Sequence, residues 1–310
     1  MLRSLVGSEM CIRDRDWEEH LITLYLRICK EYHEKCWICC QRFTNGGCKK
    51  FTDEEAMTIY ILGVLNGYRT IKAMHLFARN FLASWFPTLP NYPAFIHRIN
   101  RLHEAFREFI ASLQAEKVTG DDEGEYLVDS FPIMLARHNH AYTAKVASEI
   151  ASKSYNSTKK MYYYGVKAHV VARKREETLP DLEILVLDEA ARQDGPVFDQ
   201  MRPWLHDNLL FGDQAYKRPD EKKIEMTQSL KVFTPIKKKK GQKKLDDQSR
   251  VFSNAVSRMR QPIETLFGWI EHITNVQNAG LVRSTAGLLT HIFGKFAAAM
   301  ILKTYPEFTD

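Results

Sequence analysis

The sequence predicts an α/β protein, in which a mixed five-stranded sheet flanked by helices follows an all-helical N-terminal domain. Two observations predict this class. Apolar residues recur at helical spacing over roughly the first third of the chain, and beyond a polar segment they form short runs that are typical of strands. Because the chain has 310 residues and a domain commonly holds ~150, we expect two domains.

The boundary between the two domains is predicted at 118–125, where the chain is acidic, polar and punctuated by glycine. This assignment gives a helical N-terminal domain at 16–117 and a sheet domain at 126–305. We set residues 1–15 aside as an artefact or a disordered segment, because Ser8–Arg15 resembles translated sequencing-adapter sequence.

Start and stop signals predict the helices of the N-terminal domain. Thr52 and Glu55 form a capping-box pattern, prolines end the next helix, and Asn91 starts the last one. After a first apolar stripe, the predicted helices cover 52–65, 70–85 and 91–113. Two interpretations stay open for this domain: a small helical bundle, or a helix-turn-helix unit whose exposed Arg98 and Arg101 contact DNA.

Five short apolar or β-branched runs predict the strands of the sheet domain. Three of them follow one another, and helices then alternate with the last two, which is typical of a mixed sheet with helices on its faces. The predicted strands are 126–130, 162–171, 182–187, 209–212 and 232–234.

Composition excludes several classes of protein. With 45% hydrophobic and 26% charged residues, the chain is neither disordered nor of low complexity. The apolar stretch at 286–302 contains His291 and Lys295 and is shorter than the ~20 apolar residues of a membrane span. The first fifteen residues lack the pattern of a secretory signal, so we expect a cytoplasmic protein.

A group of cysteines leaves two interpretations open. Four cysteines fall within thirteen residues beside His33, namely Cys36, Cys39, Cys40 and Cys48. Structural zinc usually takes two spaced ligand pairs, and here one Cys-x2-Cys pair is followed by a single cysteine. The alternatives are a metal site and reduced cysteines around a helix end, since a cytoplasmic protein is not expected to contain structural disulfides.

Three carboxylates occur where the predicted sheet would bring them together. Asp129 ends the first strand, Asp213 follows the fourth, and Glu264 lies on a later helix. A carboxylate at the edge of a buried strand stays ionised only if it is solvated, paired or bound to a cation. Converging carboxylates favour Mg²⁺ or Mn²⁺, and two such ions ~3.5–4 Å apart can support phosphodiester cleavage. Asp188, Asp194 and Asp199 are interpreted as capping residues instead.

At this point the chain resembles bacterial insertion-sequence transposases of the DDE type. The motifs that carry the resemblance are Val128-Asp-Ser130, Tyr164-Gly-x-Lys-x-His169, Gly212-Asp-Gln-Ala-Tyr216, Phe233-Thr-Pro235 and Arg260-x3-Glu264-Thr. The resemblance implies a ribonuclease-H-like catalytic domain. It also implies that Asp129, Asp213 and Glu264 are the catalytic residues and hold two Mg²⁺ or Mn²⁺ ions.

The resemblance further implies the partners and the place of action. The expected activity is DNA strand cleavage and strand transfer, with the element's terminal inverted repeats and a target DNA as substrates. A homodimer on DNA at the bacterial nucleoid is expected. Two alternatives stay open: an inactive DNA-binding relative, and a metal-dependent DNA nuclease without strand transfer.

The chain matches one signature of this family only in part. In the pattern Tyr-x2-Arg-x3-Glu-x6-Lys, Arg260 and Glu264 match the arginine and the glutamate. Ser257 stands at the tyrosine position and Glu271 at the lysine position. Pro262 interrupts the same segment, which predicts either a kinked helix or a helix that starts just before Glu264.

Basic residues near the predicted site are candidates for DNA contacts. The segment 231–260 holds ten lysines and arginines against two aspartates, a local excess larger than the net +6 of the whole chain. Such a segment binds DNA phosphates without reading sequence, although a solvated loop is the simpler interpretation. The candidates are Lys237, Lys238, Lys239, Lys240, Lys243 and Lys244 of the loop, together with Arg260, Lys167 and His169.

Overall fold

The computed structural model describes residues 5–41, 50–116, 124–238, 242 and 244–309, and only the backbone of residues 5–16, 221, 223 and 309. The chain divides into two compact units. The helical unit comprises Met1–Val118, His272–Val276 and Leu281–Asp310. The sheet unit comprises Thr119–Glu271 and Gln277–Gly280.

Helices and strands are numbered along the chain. The α-helices are α1 (Leu5–Glu34), α2 (Asp53–Leu65), α3 (Ile71–Phe81), α4 (Tyr92–Asn100), α5 (His103–Ala115), α6 (Asp194–Met201), α7 (Glu221–Gln228), α8 (Asp247–Thr274) and α9 (Thr285–Thr304). The strands are β1 (Glu125–Arg137), β2 (Ser152–Asn156), β3 (Met161–Arg173), β4 (Asp181–Glu189), β5 (Leu209–Phe211) and β6 (Lys231–Phe233).

Helix α9 forms the centre of the helical unit. It packs against α5 and α2, and Phe296 and Ile301 on it are fully buried. Within the described residues it is the helix whose length and composition would suit a membrane span, and 83% of its apolar window is buried inside the protein. The helix therefore has the packing of a core helix.

The N-terminal helices agree with the sequence predictions in part. The capping box is confirmed, because Thr52 Oγ1 accepts from the Glu55 amide at 3.2 Å and Glu55 Oε2 accepts from the Thr52 amide at 2.6 Å. A single helix over 91–113 is wrong. The amides of Arg101 and Leu102 bond carbonyls three residues back, which tightens the turn and separates α4 from α5.

The predicted sheet is confirmed, and an additional strand joins it. Across the sheet the strands follow the order β4-β3-β1-β5-β6. Strand β1 is antiparallel to β3 and parallel to β5. Strand β2 pairs with residues 161–165 of β3, whereas β4 pairs with residues 166–173 on the same edge. The polar sequence of β2 gave no strand signal, because its pairing with β3 rather than an apolar run stabilises it.

The two faces of β1 have different surroundings. Val128 is buried in a core with Phe198 and Leu210. Successive side chains of a strand alternate between faces, so Asp129 and Phe131 lie on the opposite face. The ring of Phe131 lies 4.6 Å from that of Phe267 on α8, which places Asp129 on the face that α8 covers.

Candidate active site

Asp129 lies within β1, on the sheet face that α8 covers. The prediction that Asp129 ends its strand is wrong, because β1 continues to Arg137 through its antiparallel pairing with β3. Its side chain is 18% exposed. Oδ1 accepts from the Ser130 amide at 2.8 Å, and Oδ2 accepts from the Arg260 guanidinium at 2.6 Å. Burial raises the pKa of Asp129 to about 6, with the neighbouring charges of Asp213 and Glu264 adding to the rise and Arg260 opposing it.

Asp213 follows β5, the parallel neighbour of β1. Gly212 allows the segment after β5 to approach β1 closely, since a Cβ there would lie 2.7 Å from Val128 Cγ1. Asp213 Oδ1 accepts from the Ala215 amide at 2.8 Å. Burial, followed by the charge of Asp194, raises the pKa of the Asp213 carboxyl, which Arg260 and Lys167 oppose.

Arg260 joins the strand carboxylate to the helix carboxylate. Its guanidinium donates to Asp129 Oδ2 and to Glu264 Oε1, each at 2.6 Å. Arg260 and Glu264 lie one turn apart in α8, which continues through Pro262 from Asp247 to Thr274. The prediction of a helix starting just before Glu264 is therefore wrong, because α8 already contains residues on both sides of the proline.

As the side chains stand, the described residues contain no group of three or more His, Cys, Asp or Glu side chains arranged to hold a metal ion. Arg260 instead supplies the positive charge between Asp129 and Glu264. The site thus brings strand and helix carboxylates together around a guanidinium.

Asp194 is a site residue that the sequence analysis interpreted as a capping residue. The N-cap of α6 is Gln193, and Asp194 occupies the first turn. Asp194 Oδ1 accepts from Lys167 Nζ at 2.7 Å and from Ser130 Oγ at 3.2 Å. The carboxylate of Asp194 therefore holds the side chain of Ser130, the residue next to Asp129. No pattern in the sequence distinguishes Asp194 from a capping aspartate, because its partners lie on β1 and β3, far away along the chain.

The charges of three aspartates act on the hydroxyl of Tyr216. Its ring is fully buried behind the end of β5. Burial, followed by the charges of Asp194, Asp129 and Asp213, raises the pKa of its hydroxyl well above the usual value. The negative charges of three carboxylates from separate parts of the chain therefore act on one buried hydroxyl.

His169 and Lys167 lie on the sheet face opposite to that of Asp129. His169 is fully buried and neither ring nitrogen has a hydrogen-bond partner among the described residues, so its predicted contact with DNA is wrong. Burial lowers the pKa of His169 to about 4. Lys167 is 16% exposed and its ammonium is paired with Asp194. Both side chains follow the alternation of β3 toward the α6 side of the sheet.

The other candidate residues have varied surroundings. Lys237, Lys238 and Lys244 are exposed, whereas Lys239, Lys240 and Lys243 lie outside the described residues. In the helical unit Arg101 is exposed. The expectation that Arg98 is exposed is wrong, because its side chain is only 16% exposed and its guanidinium pairs with Asp53 and the Phe51 carbonyl.

The two residues that depart from the family signature make local contacts. Ser257 Oγ donates to the Ser253 carbonyl within α8 at 2.9 Å. Glu271 Oε2 accepts from the Gln277 amide at 2.8 Å, which fastens the turn that follows α8. Both contacts are structural.

The cysteine group gives no metal geometry within the described residues. Cys36 is buried and Cys39 is exposed, and Cys48 lies outside the described part. Burial raises the pKa of the Cys36 thiol to about 12.

Comparison with known proteins identifies the family. A family model described as a transposase DDE domain matches residues 119–282, more than half of the chain. The chain belongs to the transposase DDE domain family. Transposases act on DNA and cleave it. A search of curated proteins finds none that matches this chain. The match spans the sheet unit and so includes Asp129, Asp213 and Glu264.

Proposed function

We propose that this transposase cleaves the ends of an insertion sequence and joins them to target DNA, with Asp129, Asp213 and Glu264 as its catalytic carboxylates. The observation that carries the proposal is the bridge that Arg260 makes between Asp129 on β1 and Glu264 on α8. It brings together residues from two distant motifs at the point where Asp213 also raises the pKa of Asp129. Carboxylates with perturbed pKa values are typical of functional sites.

The residues at this point fit divalent ions by the chemistry of their donors. Asp129, Asp213 and Glu264 offer carboxylate oxygens, which Mg²⁺ and Mn²⁺ prefer. Burial of the two aspartates disfavours their charges, so added positive charge would stabilise them. When bound, a pair of such ions supplies activation of the attacking oxygen and stabilisation of the leaving oxygen in phosphodiester cleavage.

Arg260 would exchange its partners when DNA binds. Its side chain is 21% exposed, and its guanidinium holds Asp129 and Glu264. A guanidinium binds phosphate in the same two-pronged geometry that it uses for carboxylates. We assign Arg260 to the scissile strand, where its movement toward phosphate would release the two carboxylates for cations.

Asp194 acts in this proposal as a positioning residue. It holds Ser130 through the side chain, and the Ser130 amide in turn donates to Asp129 Oδ1. The Lys167 ammonium balances the charge of Asp194. Asp194 therefore fixes the orientation of Asp129 without contacting the substrate.

The exposed lysines supply contacts to the DNA backbone. Lys237, Lys238 and Lys244 border the segment that contains Lys239, Lys240 and Lys243, and all six would neutralise phosphates of the terminal repeats or the target. Arg101 offers a similar contact from the helical unit. Cleavage and joining at two DNA ends suit a homodimer, with one active site for each end.

Cleavage of DNA that carries the element's ends tests the proposal. We expect Mg²⁺- or Mn²⁺-dependent nicking and joining by the full chain. Asp129→Asn, Asp213→Asn and Glu264→Gln should each lower the rate on the order of 10³-fold or more, since each removes a group required at the reacting phosphate. Glu225→Gln, which alters an exposed carboxylate of the same unit, should cleave like the unaltered chain.

Other outcomes separate the alternatives. Metal-independent binding to DNA without cleavage would indicate an inactive relative, for which the substitutions Ser257 and Glu271 in the family signature would be the first explanation. Cleavage without joining would indicate a nuclease. Equal cleavage by Asp129→Asn and the unaltered chain would contradict the proposed site.

A further inference from the structure

An exposed cluster of tyrosines lies on the sheet unit, away from the carboxylates. Tyr155 and Tyr162 are directly opposite each other in the β2–β3 pair, with ring centroids 5.1 Å apart. Tyr142 adds a third ring 5.7 Å from Tyr162. The three residues are 57%, 52% and 45% exposed in the order Tyr142, Tyr155, Tyr162. We call these three residues the tyrosine cluster.

Cations accompany the tyrosine cluster. Lys153 Nζ lies 4.2 Å from the centre of the Tyr142 ring and 5.8 Å from that of Tyr162. The segment 137–162 contains five basic residues and one acidic residue, Glu149. The basic residues, all exposed, are Arg137, Lys145, Lys153, Lys159 and Lys160. The charge of this surface therefore complements a polyanion.

The tyrosine cluster and Asp129 share one face of the sheet. Asp129 is opposite Val170 on β3, and Tyr162 is an even number of residues from Val170 along the same strand. Since side chains of a strand alternate between faces, Tyr162 points to the same side as Asp129. At ~3.3 Å per residue the two positions are roughly 26 Å apart along the strand.

We propose that the tyrosine cluster binds an unpaired stretch of DNA by stacking bases on its rings. Exposed aromatic rings interleaved with lysines are the combination by which proteins bind single-stranded nucleic acid, since every base has a face that can stack and every phosphate a charge. Paired bases in a duplex already stack on each other, so the rings favour an unpaired strand. Lys153 and its neighbours would hold the phosphates between the stacked bases.

This inference rests on the proposed function, because it assigns the strand to a DNA substrate of the same unit. DNA distorted or opened near a cleaved end would offer unpaired bases on the sheet face that also carries Asp129. The tyrosine cluster would thus hold the substrate at a distance from the reacting phosphate and contribute to binding rather than to chemistry.

Binding of labelled oligonucleotides to the full chain tests the inference. The probes are a thymidine oligonucleotide of about 16 nucleotides, its duplex with adenosine, and a uridine RNA of the same length. The variants are Tyr155→Ala/Tyr162→Ala and Tyr155→Phe/Tyr162→Phe. Trp204→Ala, which removes another highly exposed ring of the sheet unit, is the matched control.

We expect the double alanine variant to bind the single-stranded DNA at least about tenfold more weakly, with duplex binding unchanged. The phenylalanine variant and Trp204→Ala should bind like the unaltered chain, because stacking needs the ring and not the hydroxyl. Thermal unfolding of each variant checks that the pair β2–β3 is intact, and the phenylalanine variant keeps the rings if the alanine variant fails to fold.

Three results would overturn the inference: equal binding by the alanine variant, equal loss in the phenylalanine variant, or a tyrosine-dependent preference for the RNA. Cleavage measured in parallel separates the two proposals. Tyrosine-dependent binding without any cleavage would contradict the proposed function alone, whereas cleavage with tyrosine-independent binding would contradict this inference alone.

Discussion

Buried polar groups in the helical unit and in the sheet unit have different surroundings. In the helical unit Lys295 is 1% exposed, yet its ammonium donates to the Asn275 carbonyl at 3.1 Å. Asp53, also buried, accepts from the Tyr32 hydroxyl and pairs with Arg98. In the sheet unit the negative charges of Asp129 and Asp213 repel each other, and burial raises the pKa of both carboxyl groups.

This difference separates polar groups that support packing from polar groups that support chemistry. A buried group with its partners in place costs little and fixes the structure. Mutually repelling carboxylates on a sheet weaken the fold locally, and their arrangement is useful only if a substrate or cation relieves the repulsion. Substitutions in the two units should therefore change different measured quantities.

Outside the three proposed catalytic carboxylates, the largest effect is expected in the sheet unit at Asp194. Replacing Asp194 with Ala and Lys167 with Met together removes both members of their ion pair and the acceptor of the Ser130 hydroxyl, and leaves neither charge unpaired. We expect kcat for DNA cleavage to fall about 10²-fold, because Asp129 loses its positioning, with KM and the unfolding temperature nearly unchanged. Steady-state kinetics and thermal unfolding measure the three quantities.

The control for that variant is Asp188→Asn. Asp188 pairs with Arg192 in the turn that follows β4, whereas the Ser130 hydroxyl donates to Asp194. Asp188→Asn should cleave at the rate of the unaltered chain. Cleavage at that rate by the double variant as well would show that the Lys167–Asp194 pair contributes only to folding.

A smaller effect is expected in the helical unit at His291. Burial, with the charge of Lys295, lowers the pKa of His291 to about 3, and its Nε2 lies 2.8 Å from the Val276 carbonyl. In the unfolded chain the imidazole takes a proton below about pH 6.5, which the folded protein resists. The free energy of unfolding should therefore fall as the pH decreases, by about 1–2 kcal/mol between pH 6.5 and pH 5.

Urea unfolding of His291→Gln tests this pH dependence. Glutamine can still donate to the Val276 carbonyl but has no proton to gain, so the acid-side loss of stability should be reduced by that amount. The exposed His272, on the same unit, gives the matched variant His272→Gln, which should keep the full loss. An equal slope in both variants would exclude His291 as the source.

The sequence predicted the parts of the structure that local patterns encode. Five strands, the Thr52 capping box, and the candidates Asp129 on β1 and Asp213 after β5 follow from apolar runs and helix signals. Strand β2 escaped prediction because its residues are polar and its stability comes from pairing with β3. The break between α4 and α5 escaped as well, because the apolar spacing continues across it.

The site's contacts were harder to predict than its elements. Asp194 resembles a capping aspartate in sequence, and only the fold brings Lys167 and Ser130 to it. The burial of His169 and the pairing of Arg98 with Asp53 also depend on neighbours distant in sequence. Periodicity assigns a side chain to a face, but its partners come from the packing of other elements.

Mn²⁺ binding, followed by electron paramagnetic resonance in the absence of DNA, tests the central claim most directly. We expect the unaltered chain to bind Mn²⁺, and Asp129→Asn, Asp213→Asn and Glu264→Gln each to weaken binding at least about tenfold, since each removes one carboxylate of a shared set. Glu225→Gln should bind Mn²⁺ like the unaltered chain. Equal Mn²⁺ affinity in all four variants would contradict the claim that these three carboxylates form one cation site.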